Sequence, residues 1–174
     1  MKTLNYVEIT QNWIERLVIG LKLCPFAKAP FYDNKILYTI QEEKDIVPIF
    51  NSLVDVAKDI INEKTVSSAF LILPNDDHDF LNFYQKTKDL EEILATQIPG
   101  IKLVAFHPGF YYEGTDIEST VNATNRSPFP MIHLLRSAEL NSIRNSEIDV
   151  VEITSTNEAK LKNLTWDEIE KFLR

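Results

Sequence analysis

Ser68-Ala-Phe-Leu-Ile-Leu-Pro74 sets five consecutive apolar residues between a serine and a proline. A run this short, bounded by turn-forming residues, fits a strand buried on both faces and is too short for a helix of its own. Upstream, Ile49, Leu53, Val56, Ala57, Ile60 and Ile61 recur at helical spacing behind Asp45, a capping residue, with Pro48 in the first turn. Downstream, Asp77 or Asp79 opens a second helix, with Phe80, Phe83, Tyr84, Thr87, Leu90, Leu94 and Ile98 on its buried face and Pro99-Gly100 at its end. Lys35–Ile40 and Ile101–Phe106 supply a strand on either side. The order strand, helix, strand, helix, strand predicts an α/β sandwich: a small sheet built from βαβ units with flanking helices, in a single domain over residues 1–174. A ferredoxin-like α+β arrangement is the alternative, because periodicity does not reveal strand direction.

At 174 residues and 44% apolar content, the chain is long enough to bury a real core. No segment approaches the roughly 18 consecutive apolar residues of a membrane span. The stretch Met1-Lys-Thr-Leu-Asn-Tyr-Val-Glu8 has neither the apolar run nor the cleavage site of a secretory signal. The single cysteine excludes an internal disulfide, so a cytoplasmic location is expected. A net charge of −8 argues against nucleic acid as a partner, since phosphate contacts need a basic face. The charge is uneven, however. Arg16, Lys22, Lys28 and Lys35 face only Asp33 in one segment, and Arg126, Arg136 and Arg144 face only Glu139 in another. Should the two segments meet, they would draw a small anion to an otherwise acidic molecule.

At the ends of the chain, Trp13, Ile14, Leu17, Val18 and Leu21 share one helical face, and Pro25 stops that helix near Leu23. Ile148–Ile153 fits a strand or a loop. Thr165 with Glu168 forms a capping box for a last helix, Trp166–Leu173.

Between Pro108 and Phe129 no element is evident, and a loop of that length in a compact domain is usually functional. It leads into Asn122-Ala-Thr-Asn-Arg-Ser-Pro-Phe-Pro-Met-Ile-His-Leu-Leu-Arg136, the densest cluster of directional polar groups in the chain. Pro130 suits the first turn of a helix with Met131, Leu134, Leu135 and Ala138 as its buried stripe. Such a helix start attracts anions, and Asn122, Asn125, Arg126, Ser127 and Arg136 are the candidate binding residues around it. His133, three residues from Arg136, would share its exposed face. Capping alone accounts for Ser127 and Asn125, but not for the whole set.

Cys24 lies between Lys22 and Lys28, whose charges would lower a thiol pKa, yet its apolar neighbours suit an inert, buried thiol. His107 closes a buried strand, where sites in α/β sheets are built, although a strand-end histidine can equally bond a backbone carbonyl. Cys24, His107 and His133 are the candidate catalytic residues; together they could also form a thiol–imidazole pair or a zinc set, though their spacing is diagnostic of neither. Asp76-Asp-His-Asp79 looks metal-like but sits where acids cap a helix.

Trp13-Ile-Glu-Arg16, Gly20-Leu-Lys-Leu-Cys-Pro-Phe-Ala27, Phe106-His-Pro108 and Asn125-Arg-Ser-Pro-Phe-Pro-Met-Ile-His-Leu-Leu-Arg136, taken as a set, resemble the bacterial domain-of-unknown-function family fourteen-fifteen over nearly the whole chain. The resemblance implies no activity. It does place Cys24 and His107 within the family's pattern, which strengthens both as site residues. Gly109-Phe-Tyr-Tyr-Glu113 and the C-terminal third depart from that pattern.

The expectation from sequence is a small enzyme acting on a phosphate- or carboxylate-bearing metabolite, with Cys24 as nucleophile or His107 as base and His133 as a second acid or base. A non-catalytic module that binds a small anion or an acidic peptide would need the arginines but neither Cys24 nor His107. A metal site of Cys24, His107 and His133 is the third possibility.

Overall fold

A computed structural model describes residues 5–144 and 150–173. Four strands form a mixed sheet in the order β1-β2-β4-β3: β1 (Ile36–Ile40), β2 (Ser68–Ile72), β3 (Ile101–Phe106) and β4 (Met131–Arg136). β1 runs parallel to β2, and β4 runs antiparallel to both β2 and β3. β2 and β3 are therefore parallel to each other, with β4 inserted between them. Helix α3 (Ile46–Asn62) links β1 to β2 and helix α4 (Phe80–Gln97) links β2 to β3, which is the expected βαβ order.

Both linking helices cover the same face. Ile49, Leu53, Val56 and Ile60 of α3 and Phe83, Leu90 and Leu94 of α4 pack on Leu71, Leu103, Ile132 and Leu134. Burying one such leucine contributes about 1.5–3 kcal/mol. Asp79, the last residue of the Asp76–Asp79 run, caps α4 by accepting the Asn82 N–H. Asp76, almost wholly buried, pairs with Lys86 and accepts from His78 Nδ1 at 2.8 Å.

The opposite face carries the chain ends. α1 (Tyr6–Trp13) continues through a π-helical turn, Ile14–Ile19, and α2 (Lys28–Tyr32) follows. α5 (Ser137–Arg144), α6 (Val150–Lys162) and α7 (Trp166–Leu173) complete this layer. Trp13, Ile14, Leu17, Leu161 and Ile169 pack here against Phe70, Ile72 and Met131. Thr165 and Glu168 form the expected capping box: the Glu168 carboxylate accepts from Thr165 N–H at 2.8 Å. Among the described residues, no helix is long and apolar enough to cross a membrane.

Three elements differ from expectation. Residues 131–136 form a strand, not a helix begun by Pro130. This strand is central and buried on both faces, so its apolar run is continuous and imitates a short buried helix. Pro130, just before it, needs no N–H; its carbonyl accepts from Leu73 N–H at 2.9 Å. The first helical region ends at Gly20, ahead of Leu23, because the π turn closes there: Gly20 N–H reaches Glu15 O at 3.0 Å and Leu23 N–H reaches Val18 O at 2.8 Å, five residues back. Finally, Val150–Ile153 opens helix α6, while Ile148 and Asp149 lie outside the described residues. The helical spacing that fixes this turn, Ile153 with buried Asn157 and Leu161, extends beyond the segment predicted as strand or loop.

Candidate functional site

Register on the sheet determines which sequence-selected residues meet. Tyr38 of β1 pairs with Phe70 of β2, Phe70 with His133 of β4, and His133 with Val104 of β3. Side chains of registered residues share a face, so these four form one row on the side covered by the terminal helices. Tyr38 stacks on Phe70 with ring centroids 6.1 Å apart and 11° between planes, and Phe70 stacks on His133 at 4.0 Å and 3°. Phe106, two residues along β3 from Val104, lies 6.1 Å from the imidazole, and Trp13 packs edge-on against both phenylalanines.

A cavity of about 390 Å³ opens over the Phe70, His133 and Val104 part of this row. Its floor includes Phe70, Val104, Phe106, His133 and Leu135; its walls are Trp13 and Val18, the Leu23–Ala27 turn, Asn125, and Asn157 of α6. Cys24, His133 and Asn125, three of the residues selected from sequence, thus line one space. Burial pushes the Cys24 thiol up, partly offset by the Phe26 and Ala27 amides, so at neutral pH it is a protonated thiol. Burial holds the His133 imidazole down to about 3, so it is neutral and a weak base. Among the described residues, His133 Nε2 and Trp13 Nε1 are the two buried side-chain polar atoms without a hydrogen-bond partner. Both residues belong to the cavity wall.

The other selected residues lie outside this cavity or are bound to backbone. His107 follows Phe106 and faces the α4 layer, 5.4 Å from the Phe83 ring. Its Nδ1 accepts the Gly109 N–H at 3.0 Å and its Nε2 donates to His78 O at 3.1 Å, so both nitrogens are engaged in a neutral ring. Burial also lowers its pKa. A metal set of Cys24, His107 and His133 does not assemble, since the sheet separates the histidines; no cluster of three or more His, Cys, Asp or Glu suited to a metal occurs among the described residues.

Asn122 is fully buried at the 3₁₀ turn Thr120–Thr124. Its Oδ1 accepts from Tyr112 N–H at 3.1 Å and Thr115 Oγ1 at 3.0 Å, and its Nδ2 donates to Asp116 O and Ile117 O at 2.9 and 3.2 Å. Arg126 donates to Phe110 O at 2.9 Å and to Ile117 O, while its guanidinium lies 4.4 Å over the Trp166 ring. Ser127 donates to Phe129 O at 2.6 Å. Arg136 Nη2 donates to Ile60 O and Glu63 O at the C-terminal end of α3 and to Val66 O in the segment before β2, and its Nε lies 3.5 Å from Glu139. Parts of both basic segments border the cavity, but Arg16, Lys22, Lys28, Lys35 and Arg126 are not on its lining, and Arg136, which is, donates to carbonyls.

Residues 5–171 match the model of the family described as "Protein of unknown function (DUF1415)". The chain belongs to this family. No curated protein matches it, and no solved structure does.

In this DUF1415 chain several wall residues escaped sequence reading. Trp13, Phe70 and Phe106 fit core positions, and nothing local separates a cavity wall from a core. Asn157, whose Nδ2 donates to Leu23 O at 2.6 Å, ties α6 to the turn that carries Cys24. A usable signal was present: with residues 131–136 aligned as a strand, Tyr38, Phe70 and His133 fall on one face as an aromatic row.

Proposed function

We propose that the protein binds a small molecule in the cavity over the Phe70–His133 row and presents Cys24 and His133 to it. The observation that carries this reading is the meeting of Cys24, His133 and Asn125 on one apolar space of about 390 Å³. That volume lies within the range of small-molecule sites, as does the ratio of a mostly apolar lining to a few polar groups. A chemical step would use the Cys24 sulfur as nucleophile with its proton passing to a basic group of the ligand, because an imidazole held to about 3 is too weak a base for a thiol whose pKa is raised. Arg126 is not on the cavity lining, and Arg136, which is, pairs with Glu139 and donates to carbonyls, which supports recognition mainly by the apolar wall.

Cys24, the chain's only thiol, reports occupancy directly. A thermal-shift screen of a metabolite library should yield compounds that raise the melting temperature by roughly 5–10 °C at a hundredfold excess over Kd. The same compounds should slow alkylation of Cys24 by iodoacetamide, and Val104→Phe, which fills the floor, should abolish both effects. Compounds that stabilise the fold but never protect Cys24 would place binding elsewhere and sink this reading. Cys24→Ser should retain binding and lose any turnover.

A further inference from the structure

We propose that a second copy of this chain pairs antiparallel with the free edge of β1, joining two four-stranded sheets into one across a twofold axis at Tyr38. Pairing at this edge is independent of what the cavity over Phe70 and His133 binds.

The two edges of the sheet are finished differently. β1 and β3 are the outer strands of the order β1-β2-β4-β3. On β3, Ile101, Leu103 and Ala105 are buried, and the outward N–H of Leu103 donates to the Glu91 carboxylate of α4 at 2.8 Å. Lys102 pairs with the same carboxylate, so a charged pair closes this edge to further strands. On β1, Gln41 N–H donates to Ile72 O, and Lys35 O accepts from Ser67 N–H. Alternate residues of a parallel ladder turn both backbone groups to the same neighbour, so Leu37 and Thr39 also face β2. The N–H and C=O groups of Ile36, Tyr38 and Ile40 therefore point off the sheet, and among the described residues nothing hydrogen-bonds to them.

Neither sequence nor packing blunts this edge. Ile36-Leu-Tyr-Thr-Ile40 has no charge and no proline, and its register on β2 runs without a bulge. None of the five residues of β1 is buried, whereas all five of β2 are. Ile36 and Tyr38 are only partly covered in one layer together with Phe31, and Leu37 in the other together with Phe50 and Val54 of α3.

The strand is complementary to itself. Twofold pairing about Tyr38 sets Ile36 against Ile40 of the second copy, Leu37 against Thr39, and Tyr38 against its own counterpart. Ile36, Tyr38 and Ile40 of each copy then exchange all their outward hydrogen bonds. Ile40, 42% exposed, is brought beside Ile36 of the other copy, where a cavity of about 350 Å³ has Phe31, Tyr32, Ile36 and Tyr38 on its lining. The antiparallel sense also sends the two Glu42-Glu43 pairs to opposite ends. Each approaches Lys35 of the other copy, which within one chain pairs with Asp33 on the surface. With β3 closed, pairing at β1 ends at a dimer and does not propagate.

Sedimentation equilibrium of the full chain over roughly 1–100 μM should give twice the chain mass. Ile40→Lys places an unpaired charge in the joint while altering an exposed side chain. Its far-ultraviolet circular dichroism should match that of the unmodified chain, with the dimer dissociation constant raised at least about a hundredfold. Register is read separately, with Cys24→Ser in every chain. Leu37→Cys and Thr39→Cys chains, co-expressed and oxidised, should cross-link, since a non-hydrogen-bonded antiparallel pair sets Cα atoms about 4.5 Å apart, within disulfide reach. Neither chain should cross-link alone. A monomer at every concentration overturns the proposal. So does a dimer that Ile40→Lys leaves intact, or one in which the co-expressed cysteines stay unlinked. Should Ile40→Lys fail to fold, the cross-link decides by itself.

Discussion

Asn122 uses every hydrogen-bonding direction of its amide on the loop that precedes it: two donors to carbonyls, two bonds accepted at one oxygen. Asn122→Asp should therefore be severe. It sets a carboxylate oxygen against the carbonyls of Asp116 and Ile117, and the cost is about 3 kcal/mol or more, read from the urea midpoint. A change under about 0.5 kcal/mol would mean the loop does not depend on this residue. The same holds in kind for Arg126 and Arg136, whose partners are also carbonyls. From sequence, these residues announce hydrogen bonding without announcing the partner, because a satisfied loop anchor and a ligand contact call for the same side chains. Cys24, His133 and Asn125 were legible as site candidates for that reason, and so were Asn122, Arg126 and Arg136, which the loop and the α3 end use instead.

At the scale of elements, three of the four strands and both linking helices were legible because each has one period and clear punctuation at its ends. β4 was not. Met131, Leu134 and Leu135 favour helices, Pro130 suits a helix start as well as a strand entry, and α5 follows Arg136 with no intervening turn. The π turn was equally hidden, since its extra residue per turn leaves the apolar stripe nearly intact over one cycle. Its exit depends on Gly20, where a Cβ would come within 2.1 Å of the Arg16 carbonyl oxygen. Lys22 then takes a left-handed φ of 56°, and the chain turns into the segment that carries Cys24 to the cavity. Gly20→Ala should destabilise the fold by about 1–3 kcal/mol, the usual range for overpacking, and change the rate of Cys24 alkylation. An unaltered melting temperature and alkylation rate would show that the turn does not need glycine.

For the molecule as a whole, two helical layers around one sheet leave two histidines of opposite faces in apolar surroundings, and this shapes the response to acid. In the unfolded chain a histidine titrates near about 6.5. In the fold, burial holds His133 to about 3, and His107, between Phe80 and Phe83, is also lowered. Protons therefore bind the unfolded chain first: stability is full above about pH 6.5 and declines as pH falls toward the folded value. Asp76 acts in a lower window, since Lys86 and His78 hold its carboxyl below the usual range and its contribution fades only as that carboxyl protonates. Between pH 6.5 and 4.5, His133 alone should cost roughly 2–3 kcal/mol. His133→Phe removes the proton site while keeping a flat ring against Phe70, so its stability should fall less steeply over that range, leaving the shallower decline due to His107. Urea unfolding at four or five pH values separates the two slopes. Parallel curves for the two proteins would show that the imidazole of His133 protonates in the fold as readily as in the open chain, and that the floor of the cavity is wetter than its walls imply.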